Sequence, residues 1–82
     1  MKHTTVSIIL ASSDHEVLDN SARAVLNKVN PNELDEITVA VLPVEEGLQR
    51  RKITLTNPTD KNIWILTHVD IPNNVSISVV NN

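Results

Sequence analysis

Apolar and polar positions alternate with period two at residues 51–56 and 75–80, apolar side chains line both sides of two further runs, and a period of three to four marks one stretch near the start of the chain. Residues 4–11 carry Val6, Ile8 and Leu10 on one side and Ser7, Ile9 and Ala11 on the other, which predicts a first strand. Residues 14–29 repeat Leu18, Ala22, Val25 and Val29, flanked by Val17 and Leu26, the stripe of an amphipathic helix. Ser13 and Glu16 have capping-box spacing, so the hydroxyl and the carboxylate can satisfy the first free N–H groups of that helix. Asp14 and Glu16 also suit the positive end of its dipole. Asn30-Pro31-Asn32 ends it, because a residue before proline avoids the helical region.

The next apolar run, Ile-Thr-Val-Ala-Val-Leu-Pro-Val at residues 37–44, has aliphatic side chains on both of its sides. A strand with one wet face would alternate apolar with polar, so this run is expected to be the central strand, covered on both faces. Residues 45–49 form a turn around the only glycine, Gly47. Residues 51–56 are two-faced, with Ile53 and Leu55 inward and Lys52, Thr54 and Thr56 outward. Asn57-Pro58-Thr59-Asp60-Lys61 has the composition of a tight turn, and residues 62–69 read as a fourth strand, apolar on both sides. Residues 70–74 turn again, and residues 75–80 alternate Val75, Ile77 and Val79 with Ser76 and Ser78.

The expected order is therefore β-α-β-β-β-β, an α+β domain with a mixed, mostly antiparallel five-stranded sheet and one helix packed on one face. The helical connection is long enough for a right-handed crossover between parallel strands, whereas the other joins are hairpin-like. Eighty-two residues allow a single domain, residues 1–82, with a thin core. Cysteine, phenylalanine and tyrosine are absent and Trp64 is the only aromatic side chain, so the core is built from Ile, Val and Leu. No disulfide or thiolate–zinc staple is available, and small domains in that position often gain stability by oligomerising.

The ten residues Lys52-Ile-Thr-Leu-Thr-Asn-Pro-Thr-Asp-Lys61 resemble the strand–turn–strand phrase of sandwich domains of the major-sperm-protein type. A well-capped helix so near the N-terminus does not fit a sandwich of two antiparallel sheets, and no function is carried across.

The formal charge of −3 is too mild for an acidic tail and of the wrong sign for a general phosphate-backbone binder. No apolar run has signal-peptide or membrane length, so a cytoplasmic or virion-associated protein is expected, with no membrane partner. Candidate chemistry is sparse. His3, His15 and His68 lack metal-ligand spacing; His68-Val69-Asp70, and His15 between Asp14 and Glu16, are the nearest approaches. Ser12 and Ser13 with His68 and Asp70 contain the residue types of a nucleophilic triad, without the glycine-flanked elbow that exposes a nucleophile. The carboxylate pairs Asp35–Glu36 and Glu45–Glu46 fall in turns, where water keeps them ionised. The strand-to-helix junction at Ser12 lacks the glycines of a phosphate loop, and its acids repel anions. Arg50, Arg51 and Lys52 form the one basic cluster, split by strand alternation; Asn74-Val75-Ser76 matches a glycosylation acceptor by chance.

The reading that follows is a non-catalytic interaction or assembly module, homo-oligomeric, without cofactor or metal, of the kind a small phage or virion accessory protein would supply. A turn at residues 57–61 would set Leu55 against Ile63 and Ile53 against Ile65, leaving Trp64 opposite Thr54 on the face away from the helix. Trp64, Leu66, Thr54 and Ile9 are then the expected interface. The alternatives are a small metal-dependent enzyme subunit using His15, His68 and Asp70 at an interface, and a weak nucleic-acid binder using Arg50, Arg51 and Lys52.

Overall fold

A computed structural model describes residues 4–81; His3 lies outside them. Strand β1 (Thr5–Ser12) leads into helix α1 (His15–Lys28), and a short 3-10 turn at Pro31–Glu33 precedes β2 (Glu36–Glu45). Strand β3 (Leu48–Thr56), helix α2 (Asp60–Thr67) and strand β4 (Ser76–Asn81) follow. The sheet has four strands in the order β2-β3-β1-β4, with antiparallel neighbours throughout. Strands β1 and β2 run parallel, as a crossover connection requires, but β3 is inserted between them, so the sheet expected to be mixed is antiparallel throughout. This is the split β-α-β arrangement of ferredoxin-like folds, an α+β fold with two helices on one face of an antiparallel sheet.

Two expectations about the sheet are corrected. Residues 62–69 are not a strand: residues 60–67 form α2, so among the described residues the sheet has four strands and the α-helices number two. The Ile-Trp-Ile-Leu run at residues 63–66 fits either structure by periodicity. What decides is Thr59, whose side-chain oxygen accepts from the Asn62 amide at 3.3 Å as an N-cap, with Asp60 in the first turn. Four residues apart, Asn62 and Leu66 share one face and are fully buried.

The second correction concerns residues 37–44, which lie in an edge strand. Val39, Val41 and Val44 are 46%, 73% and 65% exposed. Only Ile37, at the inner end of β2, packs against the core. Strands β1 and β3 hold the centre. Their inward residues Val6, Ile8, Leu10, Ile53 and Leu55 meet Leu18, Ala22, Val25 and Val29 of the α1 region, Leu66 of α2, and Val75. The sheet is covered on one face only, so its central strands alternate apolar with polar, as antiparallel sheets with one open face do.

Helix α1 occupies nearly the expected span, but its cap is Asp14 rather than Ser13. The Asp14 carboxylate accepts from the amides of Glu16 at 3.0 Å and Val17 at 3.4 Å. Ser13 is exposed, and the buried Ser12 hydroxyl accepts from the Asp14 amide at 3.1 Å. The carboxylate, one residue closer to the helix, satisfies two free donors at once. Past the end of α1, Asn30 is held by Asn62. The Asn62 carboxamide accepts from the Asn30 amide at 3.1 Å and donates to the Asn30 carbonyl at 3.2 Å. One buried side chain thus replaces a stretch of backbone pairing and fixes α2 against the exit of α1.

Among the described residues, two besides glycine take the left-handed region. Glu46 (φ 53°) and Gly47 (φ 77°) form the two-residue connection between the paired Glu45 and Leu48, the backbone of a type I′ hairpin. Asn57 (φ 52°) closes β3. Its amide donates to the Thr4 carbonyl at 2.7 Å, its Oδ1 accepts from the Thr4 amide at 2.9 Å, and its Nδ2 donates to Asp35 at 2.6 Å.

Candidate interaction surface

Register assigns every sheet residue to a face. Thr5, Ser7, Ile9 and Ala11 of β1 stand on the open face, in line with Thr56, Thr54, Lys52 and Arg50 of β3. Ser7 is fully buried among its neighbours there and shares a 2.9 Å hydrogen bond with the Thr54 hydroxyl. The expected interface residues Thr54 and Ile9 therefore do lie on the face away from the helices, both partly buried by the side chains around them. That face is mostly Ser, Thr and charged groups, with Ile9, Ala11, Ala40, Leu42 and Val80 as its apolar islands.

The exposed apolar surface is mainly on the other side. Val39 and Val41 pair in register with the inward Ile53 and with Arg51, and Ile77 and Val79 pair with the core residues Leu10 and Ile8. All four belong to the helix-side face, yet they remain between 38% and 73% exposed. The geometry explains this. Helix α1 packs on β1 and β3, and α2 reaches β1, so the two edge strands overhang the helical layer.

The two edges differ chemically. Strand β2 carries Glu36, Pro43 and Glu45, and its register with β3 shifts between Leu42 and Glu45. Charge, proline and irregularity are the usual devices that keep an edge from pairing with another chain. Arg50 reinforces that irregularity, donating from Nε to the Pro43 carbonyl at 3.1 Å and lying 3.3 Å from the Glu45 carboxylate. Strand β4, Ser-Ile-Ser-Val-Val-Asn, has neither a charge nor a proline.

The expected placement of Trp64 and Leu66 side by side on a strand is corrected. On α2 they point apart: Leu66 is fully buried in the core and leaves the interface set, while Trp64 is 61% exposed. Its indole stacks on the His68 imidazole, with ring centroids 4.4 Å apart and an interplanar angle of 11°. His68 Nδ1 lies 2.9 Å from the Trp64 carbonyl oxygen and 3.0 Å from the Thr67 hydroxyl. The spacing of four places both rings on the face of α2 opposite Asn62 and Leu66.

Among the described residues of one chain no three His, Cys, Asp or Glu side chains are placed to share a metal ion, and His15, His68 and Asp70 stand apart on the chain's elements. His15 begins α1, His68 is turned against Trp64, and Asp70 lines a shallow cavity of about 310 Å³ with Val17, Asn20, Ser21, Ala24 and Pro72. Ser12 is buried and engaged with the Asp14 amide, and Ser13 is spent on no cap. Asp35 receives the Asn57 amide group and Glu45 faces Arg50. The basic cluster is divided: Arg51 turns to the helix side, 3.3 Å from Asp19, Arg50 is held at the β2 irregularity, and Lys52 stands on the open face between Ile9 and Ala40. Among the described residues no helix is long and apolar enough to cross a membrane.

No protein-family model matches the chain. Among solved structures it is similar to the de novo designed protein Foldit4, at 16% identity and a TM-score of 0.67, over 99% of this chain and 97% of that one. That likeness is one of fold. A crystal structure described as a putative PII-like signaling protein from Thermus thermophilus aligns at 14% identity and a TM-score of 0.46, over 100% of this chain and 91% of that one.

Proposed function

We propose that the chain is a non-catalytic interaction module that works by self-association, a cytoplasmic or virion-associated accessory protein in which the sheet is the assembling element. The observation that carries this reading is the set of large apolar side chains left outside the core: Val39, Val41, Val44, Trp64, Ile77 and Val79. An 82-residue chain with a core drawn from Ile, Val and Leu gains most from covering such groups.

Static light scattering of the purified chain over a range of concentrations tests it. A dimer or larger species that forms with rising concentration is expected. A particle of monomer mass up to about 1 mM, the weak end of specific association, would refute self-association.

A further inference from the structure

We propose that the self-association just inferred, on which this step rests, runs through the β4 edge: β4 pairs antiparallel with β4 of a second copy, joining two four-stranded sheets into one. Three observations point to a second copy of this chain as the occupant.

The first is the contrast between edges. Strand β2 is blocked by Glu36, Pro43, Glu45 and a register shift, whereas Ser76–Asn81 presents an edge with no ionisable side chain and no proline. The second is self-complementarity. A two-fold axis perpendicular to the sheet and passing through Ser78 sets Ile77 opposite Val79 of the second copy, and Val79 opposite its Ile77. Both pairs fall on the helix side, where Ile77 and Val79 are now 38% and 47% exposed. On the open side the same axis sets Ser78 against Ser78 and Ser76 against Val80. The two apolar pairs and the Ser78 pair are each self-matched across the axis, as an isologous contact demands.

The third observation is charge. A net charge of −3 makes two copies repel in general. Neither β4 nor its neighbour β1 (Thr5–Ser12) contains an ionisable side chain, and α2, the helix on that side, balances Asp60 with Lys61. The copies therefore meet along strands that carry no charge of their own, beside a helix whose Asp60 and Lys61 offset each other. Strand addition supplies main-chain hydrogen bonds that need no other recognition chemistry. A contact of one short strand buries less than a standard interface, so the dimer should dissociate on dilution.

The test compares Ile77→Lys and Val79→Lys with Val41→Lys, a charge placed on the opposite edge. All three positions are exposed, so each variant should keep the wild-type far-ultraviolet circular dichroism. The expected result is that wild type and Val41→Lys dimerise alike, while either β4 variant stays monomeric at concentrations tenfold higher. Amide hydrogen exchange gives an independent readout, with alternate amides of residues 76–80 gaining protection as wild-type concentration rises. If wild type dimerises and the β4 lysine variants dimerise equally well, the edge assignment is wrong and self-association by another surface stands. If wild type remains monomeric, both fall.

Discussion

Replacing Asn62 tests how α2 is held against the exit of α1. The side chain is fully buried and makes two hydrogen bonds to Asn30, one as acceptor at 3.1 Å and one as donor at 3.2 Å. Asn62→Ala removes both and leaves a void beside the Asn30 backbone. Each bond contributes about 1 kcal/mol net, and a backbone group left without a partner costs more wherever water cannot reach it. Residue Asn30 is itself exposed, so hydration recovers part of that cost. The sum is about 2–3 kcal/mol, or roughly 10–20 °C in melting temperature for a domain of this size. Asn62→Asp gives the sharper discrimination. Its ionised carboxylate still accepts from the Asn30 amide but opposes the Asn30 carbonyl, and burial further disfavours the charge. The folded form therefore holds its proton to higher pH than the unfolded chain, where Asp titrates near about 3.9. Between those two values the native state binds more protons, so the variant loses stability as pH rises and recovers it on acidification. Urea denaturation of wild type and both variants across that range measures this. An Asn62→Ala cost below about 0.5 kcal/mol, within the range of ordinary surface substitutions, would refute the clamp. So would an Asn62→Asp deficit relative to wild type that is independent of pH.

Thermal melts should separate the two candidate caps: Asp14→Ala costs about 1 kcal/mol, whereas Ser13→Ala leaves the midpoint within error. Ile53→Ala, at the centre of the sheet, should cost about 2–5 kcal/mol, while Val41→Ala, on the overhanging edge, changes stability by less than about 0.5 kcal/mol; equal costs would contradict the strand order. Glu46→Asn should stabilise by about 0.5–1 kcal/mol, because asparagine accepts the left-handed backbone of a type I′ turn more readily than glutamate; an unchanged or lower denaturation midpoint counts against that turn.

Local chemistry made the first half of the fold legible, and non-local geometry hid the rest. The stripe Leu18, Ala22, Val25, Val29 has one periodic reading, and Asn30-Pro31 closes it. Alternation assigned Ile53 and Leu55 to the inner face of β3, where both are fully buried. The 62–69 segment failed because a run of aliphatic residues fits two periods. Its signal was Thr59-Asp60 followed by buried positions four apart, read instead as turn residues. Residues 37–44 failed for another reason. An apolar strand looks central from its own side chains, but position in a sheet depends on which strands arrive later, and β3 and β1 pair only after the chain has turned back. Trp64 inherited the first error, since its expected place opposite Thr54 presupposed a hairpin. Its exposure was legible only in part, and its stacking on His68 required the helix. The unprotected character of β4 could be read directly, because Ser76–Asn81 holds no charge and no proline.

The register of β1 also constrains how the chain can fold as it is synthesised. Thr5 pairs with Thr56 and Val6 with Asn81, so the strand at the middle of the finished sheet finds neither neighbour among the residues made soon after it. While the ribosome is still adding residues, Val6, Ile8 and Leu10 have only α1 to lie against. The first sheet element that can close locally is the β2–β3 hairpin, across two residues at Glu46 and Gly47. An emerging chain should therefore hold a hairpin and a helix with β1 unpaired, then insert β1 beside β3 and add β4 last. Pairings so distant in sequence slow folding and leave apolar strand exposed meanwhile. The same strand that anchors the native core is thus the segment most in need of protection during translation.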